Sequence, residues 1–237
     1  MASPVCYASE SYFLGGAPLP PSTTSFTSPS SLPVPAGTIL SLSLSPTHTF
    51  SKPPLPRLTL IPGLGVEGDC HLGADIQHLS RRAVRPLPEN LRQVHLMSGE
   101  FLEGLVIREM GEEGKAGEEE GEGGRKRRKV KPGDLGENIT TTGIDLEGLS
   151  RGTILRFSSS PTASDGDARI RITGLRNPCH QIEKFGKGLL GQCTVREGGV
   201  VVQRKAGVMG VVLTGGVVER GMSVWVEVEG EGALDVV

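Results

Sequence analysis

The apolar residues of this chain come in short runs broken by glycine and proline, which rules out a fold built on long helices. The clearest run is residues 38–44, T-I-L-S-L-S-L, where apolar and small polar residues alternate. That is the pattern of a half-buried strand. Residues 58–61, 92–97, 153–157, 169–173, 199–203, 207–213 and 222–228 are further strand-like runs. The 34 glycines and 17 prolines supply the turns between them. Helices do not alternate with strands as a doubly wound parallel sheet requires. The expectation is a mainly β fold: a mostly antiparallel, partly closed β-barrel with a few short helices. One helix is predicted from Ser98 as N-cap through Leu105, with Glu100 and Glu103 in its first turn.

Two stretches fall outside this pattern. Residues 1–35 are rich in Ser, Pro and Thr and read as a disordered leader, too poor in apolar surface to offset the entropy of ordering. Residues 111–131 are a Gly/Glu run followed by R-K-R-R-K-V-K and read as a loop insertion. The expected domain is therefore residues 36–237. A net charge of -2 argues against nucleic acid as partner, since the acidic run neutralises the basic one. No apolar run approaches the ~20 residues that span a bilayer. Cys6, Cys70, Cys179 and Cys193 lack C-x-x-C spacing, so free thiols in a reducing, cytoplasmic setting are expected. The leader leaves organellar targeting open.

Three motifs carry chemistry. In I-T-G-L-R-N-P-C-H-Q-I (residues 172–182) a strand hands over to Cys179 behind Pro178, with Arg176, Asn177 and His180 close by. Pro178 holds Asn177 in extended geometry. A thiolate is both nucleophile and metal ligand. Spacing alone leaves open a reactive thiol and an inert buried cysteine. The segment that follows, to Gly191, reads as a mobile cover over the thiol rather than part of the chemistry. Asp69-Cys70-His71, flanked by glycine, sets an acid, a thiol and an imidazole together. Zinc bound by His71 with His78 or His95 fits no standard spacing, and a plain polar loop accounts for the motif equally well. Gly133-Asp134-Leu135-Gly136-Glu137-Asn138 is a tight turn whose amides could bind an oxyanion; it lacks the features of a P-loop.

Taken in order, T-I-L-S-L-S-L-S-P-T-H-T-F-S-K, G-V-E-G-D-C-H-L-G, L-R-Q-V-H-L-M-S-G-E, K-P-G-D-L-G-E-N-I-T-T-T-G-I-D-L, R-N-P-C-H-Q-I and A-G-V-M-G-V-V-L-T-G-G-V-V-E-R-G-M-S-V resemble the MOSC domain, the module similar to the C-terminal part of molybdenum cofactor sulfurases. The likeness is to small stand-alone members; no pyridoxal-phosphate domain accompanies it, so desulfurase activity is not implied. The resemblance implies a β-barrel that binds molybdenum cofactor, with Cys179 as catalytic residue and metal ligand. It implies a pocket lined by His71, Asn138, Arg176 and Asn177, with Lys52, Arg81 and His95 as looser members. The implied reaction is reduction of N-oxygenated small molecules, with electrons from a separate donor protein. Two alternatives stand beside it: a sulfur carrier or cofactor-delivery protein using a Cys179 persulfide from a sulfur donor, and a non-enzymatic β-barrel interaction module.

Overall fold

The computed structural model describes residues 34–77, 83–108 and 127–237. The expectations for residues 1–33, for Arg81 and for residues 111–126 lie outside the described residues.

In chain order the elements are β1 (Gly37–Ser43), β2 (Pro54–Leu55), β3 (Arg57–Ile61), β4 (Gly65–Val66), β5 (Val94–Ser98), α1 (Gly99–Gly104), β6 (Val106–Arg108), β7 (Arg127–Lys129), β8 (Ile139–Thr142), β9 (Ile154–Ser158), β10 (Ala168–Leu175), α2 (His180–Phe185), α3 (Leu189–Gln192), β11 (Thr194–Glu197), β12 (Val200–Arg204), β13 (Val208–Thr214), β14 (Gly216–Glu219) and β15 (Ser223–Val228). Seven strands form a barrel in the order β15-β9-β10-β13-β5-β8-β1. It closes where Gly37 and Thr38 of β1 pair with Val224 and Ser223 of β15. Closure removes the exposed edges that an open sheet would present. Neighbours in the barrel are antiparallel except β5 and β8, which run parallel with Leu96 opposite Ile139.

Alternate residues of the seven strands fill the barrel. Leu42, Leu96, Ile139, Leu155, Ile170, Val208 and Val224 are fully buried there. On β5 the alternation continues outward. Val94 and Leu96 face the interior, and Met97 joins a second apolar cluster with Leu102, Ile182 and Leu189. This cluster lies beneath the three short helices and buries the outer face of β5.

Helix α1 begins as expected. Ser98 Oγ accepts a hydrogen bond from Phe101 N at 3.1 Å. Glu100 accepts from Thr142 Oγ1 at 2.6 Å and Gly143 N at 2.7 Å, which ties the helix to the end of β8. Two local readings change. Residues 127–129, read as the basic end of a loop, pair as β7 with β6, and Val130 is buried in the second cluster. Backbone pairing to β6 and one apolar side chain are enough to order them. The segment after Cys179 is anchored: Ile182 and Leu189 are fully buried, and Glu183 accepts from Gly188 N at 2.8 Å and Leu190 N at 3.2 Å.

One buried polar knot joins the loops at this end of the barrel. Asp69 Oδ2 accepts from Lys52 Nζ at 2.7 Å, Asn138 Nδ2 at 3.0 Å and Ser45 N at 3.3 Å. Its Oδ1 accepts from His71 N at 3.0 Å and His71 Nδ1 at 3.1 Å. Burial opposes the charge of Asp69, but the His71 hydrogen bonds and the Lys52 ammonium outweigh it and hold the carboxyl well below the usual range. The Gly-Asp-Leu-Gly turn locks onto the segment carrying Lys52. Gly133 and Gly136 both have positive φ, and a Cβ on them would lie 2.3 Å from Lys52 O and 2.5 Å from Phe50 O. Lys52 N in turn donates to Gly133 O at 2.8 Å.

Two outcomes follow for stability. Leu96→Ala removes packing on the barrel axis and should cost about 2–5 kcal/mol in chemical denaturation. Asp69→Asn strands the Lys52 ammonium, 2 % exposed, without its counter-charge; a loss of about 3–5 kcal/mol is expected, and a loss below about 1 kcal/mol would contradict the role given to the knot. The sign with pH is set by the depressed folded-state pKa of Asp69. Its stabilisation is complete above the unfolded pKa of about 3.9 and declines as pH falls below that value toward the folded one. The wild type should therefore lose stability in that acid window more steeply than Asp69→Asn.

Candidate functional site

A cavity of about 570 Å³ opens on the outer wall of the barrel, beside the knot. Each surrounding element contributes to it. The end of β10 delivers Arg176 and Asn177, and Cys179 stands immediately before α2. The outward faces of β5 and β13 add His95 and Met209, and the glycine-bounded turn adds Leu135, Gly136 and Asn138. The loop after β1 brings His48, Phe50 and Lys52; His71 and Arg92 complete the rim. Seven of the residues singled out in the sequence thus line one cavity: Cys179, His71, Asn138, Arg176, Asn177, Lys52 and His95. His48 and Arg92 lie within the stretches T-H-T-F-S-K and L-R-Q-V-H, but local spacing does not mark them as cavity residues, because proximity of loops in three dimensions leaves no trace in it.

Several wall residues are engaged by the scaffold. Asn138 donates to Asp69 and to Ser43 O at 3.2 Å, and its Oδ1 accepts from His95 N at 3.2 Å. Lys52 directs its ammonium at Asp69. His95 is buried, with Nε2 2.8 Å from Ala206 O. A carbonyl can only accept, so Nε2 carries the proton. Burial, reinforced by the charges of Arg176 and Lys52, pushes the His95 pKa well below the ordinary imidazole value. The ring is a neutral prop that fixes β5 against residue 206.

Arg176 differs. Its backbone is held by Gly207 O at 2.9 Å, and its guanidinium lies 6.0 Å over the Phe50 ring. The residue as a whole is half-buried, but Nη1 is sealed from solvent and has no hydrogen-bond partner among the described residues. Burial lowers the Arg176 pKa, opposed by the Cys179, Glu137 and Cys193 side chains. Glu137 is the complementary orphan. Its Oε1 accepts from Gly133 N at 2.5 Å and Thr140 Oγ1 at 3.2 Å, whereas Oε2 is sealed and unpartnered. Burial raises the Glu137 pKa and favours its neutral form. A sealed guanidinium nitrogen left without a hydrogen bond is costly. A cavity wall that presents one is complementary to an anion.

Cys179 Sγ is half-exposed, and its contact is a weak one to Gln181 Oε1 at 3.8 Å. Its N-cap position leaves the side chain out of capping. Cys193 is fully buried in the second cluster, and burial pushes its thiol up to about 11. Cys70 is pushed up to about 11 by burial and then by the Asp69 charge. Of the thiols among the described residues, Cys179 is the one that lines the cavity. No helix among the described residues is long and apolar enough to cross a membrane.

Comparison with known proteins agrees with this architecture. The YuaD protein from Bacillus subtilis matches with a TM-score of 0.54 at 20% sequence identity, covering 79% of this chain and 93% of that one. YiiM from Geobacillus stearothermophilus matches with a TM-score of 0.49 at 17% identity, covering 84% and 79%. YiiM from Escherichia coli matches with a TM-score of 0.47 at 17% identity, covering 84% and 74%. Among curated proteins none matches. The profile of the MOSC domain matches residues 71–231. With the closed barrel and the match across two-thirds of its length, this chain belongs to the MOSC domain family.

Proposed function

We propose that the chain binds molybdenum cofactor in the cavity and reduces N-oxygenated small molecules, with Cys179 as the metal's protein ligand. The observation that carries the reading is Arg176 Nη1, a sealed guanidinium nitrogen without a partner among the described residues, in the wall that also bears Cys179. The residues fit such a group. The volume of about 570 Å³ falls within the range of small-molecule sites. A soft thiolate suits a thiophilic, high-valent metal. When bound, the cofactor supplies two-electron redox chemistry at its metal.

The chain's own residues have separable tasks. Cys179 supplies the thiolate sulfur. Arg176 would hold an anionic group of the cofactor, in a charge-assisted bond strengthened by its burial. Asn177, next along the chain and exposed, adds an amide at the same rim. Phe50, Leu135 and Met209 keep the floor apolar and exclude water from the bound group. His95, Asn138 and Lys52 hold the wall in place through their internal bonds. Electrons arrive from a separate donor protein.

The test is molybdenum per chain after expression with cofactor supply. Wild type should approach one per chain, and Cys179→Ala should fall well below it. Arg176→Gln should weaken retention about 10–100-fold, the value of a hydrogen bond to a charged group. Equal molybdenum in wild type and Cys179→Ala would contradict the ligand role.

A further inference from the structure

We propose that His48, Cys70 and His71 form a three-ligand site for a zinc-like divalent ion at the rim of the cavity, separate from Cys179. One potential ligand atom from each of the three lies within 4.8 Å of the other two. Tetrahedral zinc, with Zn–S of about 2.3 Å and Zn–N of about 2.0–2.1 Å, sets neighbouring ligand atoms roughly 3.4–3.6 Å apart. Small side-chain rotations close that difference. One thiolate and two imidazoles are a donor set suited to zinc.

The ligands come from two loops that the fold has already joined. His48 sits on residues 45–49, where Ser45 Oγ shares a hydrogen bond of 2.8 Å with Thr49 Oγ1 and Thr49 N donates to Thr47 O at 2.7 Å. Cys70 and His71 sit on the loop after β4. Cys70 N donates to Ser45 O at 2.9 Å, linking the loops directly. Asn90 Nδ2 donates to His71 O at 3.0 Å and Gly73 O at 2.9 Å, fixing the second loop from its far side. The His48 and His71 rings meet edge to face at 5.4 Å.

His71 Nδ1 lies 3.1 Å from Asp69 Oδ1 and 3.2 Å from Cys70 Sγ, so one edge of the ring meets both the carboxylate and the thiol. In zinc sites a carboxylate hydrogen-bonded to a ligand histidine orients its ring. On binding, the ion replaces the proton on Cys70 Sγ, which leaves to solvent; no electron transfer is involved. His48 and His71 also line the cavity, so the fourth position is open to water or to a molecule bound there. The site is independent of the cofactor reading, since it uses neither Cys179 nor Arg176.

Co2+ titration of the purified, metal-stripped full chain tests it, because a cobalt–thiolate bond gives a charge-transfer band. Wild type should bind one equivalent with that band. Cys70→Ser should lose the band, and Cys179→Ser should keep it. His48→Ala, a change at an exposed residue that leaves the fold intact by circular dichroism, should weaken binding at least about tenfold, the least effect seen when even an outer-shell partner is removed. Absence of the band in wild type, its survival in Cys70→Ser, its loss in Cys179→Ser, or unchanged affinity in His48→Ala would each overturn the proposal.

Discussion

The buried carboxylate of Asp69 is the constraint on which the rest of this site depends. It is 1 % exposed and receives donors from Lys52, Asn138, Ser45 and His71. These four residues come from three parts of the chain, and an ionised carboxylate in an apolar interior is tolerable only with that many donors. Once the knot forms, the loop after β1, the loop after β4 and the turn before β8 have fixed positions. Gly133 and Gly136 tighten the same contact by letting the turn lie directly on residues 50–52. The barrel core stabilises the fold; the knot determines where its loops meet.

The cavity wall is therefore of two kinds. Asn138, Lys52 and His95 have polar atoms engaged by the protein and keep the shape. Arg176 and Cys179 present groups the protein leaves uncommitted, a sealed guanidinium nitrogen and a half-exposed sulfur. Mutating the first kind disturbs stability and geometry together. On the proposed function, mutating the second acts on what is bound. The two effects are separable by measuring folding and binding on the same variants.

Much of the fold was legible in local pattern, because alternation reports directly on a wall with one face inside. The eight runs named from the sequence each hold a strand, and Ser98 caps its helix. Strand β8 was not, since I-T-T-T offers a single apolar residue to the interior and its outer face is buried under α1 rather than solvated. In the basic run the exposed Lys129 and half-exposed Arg128 are solvated as their charge suggests, but residues 127–129 also pair with β6 as β7, which composition does not report. At the site, Cys179, Arg176 and His71 stood out through motif and resemblance. Sequence spacing offered His78 or His95 as zinc partners of His71; His78 lies outside the described residues, and among those described the imidazole beside His71 is His48, 23 positions earlier. His95 is engaged with Ala206 instead. The bonds that join the two loops create that neighbourhood, and nothing in either loop encodes it alone.

The account centres on Cys179 as the thiol that meets the bound group. Its alkylation by iodoacetamide, followed peptide by peptide as molybdenum cofactor occupancy is raised, tests this most directly. Cys179 should be protected in proportion to the molybdenum bound, while the modification of Cys70 does not track it. Equal alkylation of Cys179 in loaded and unloaded protein would contradict the account.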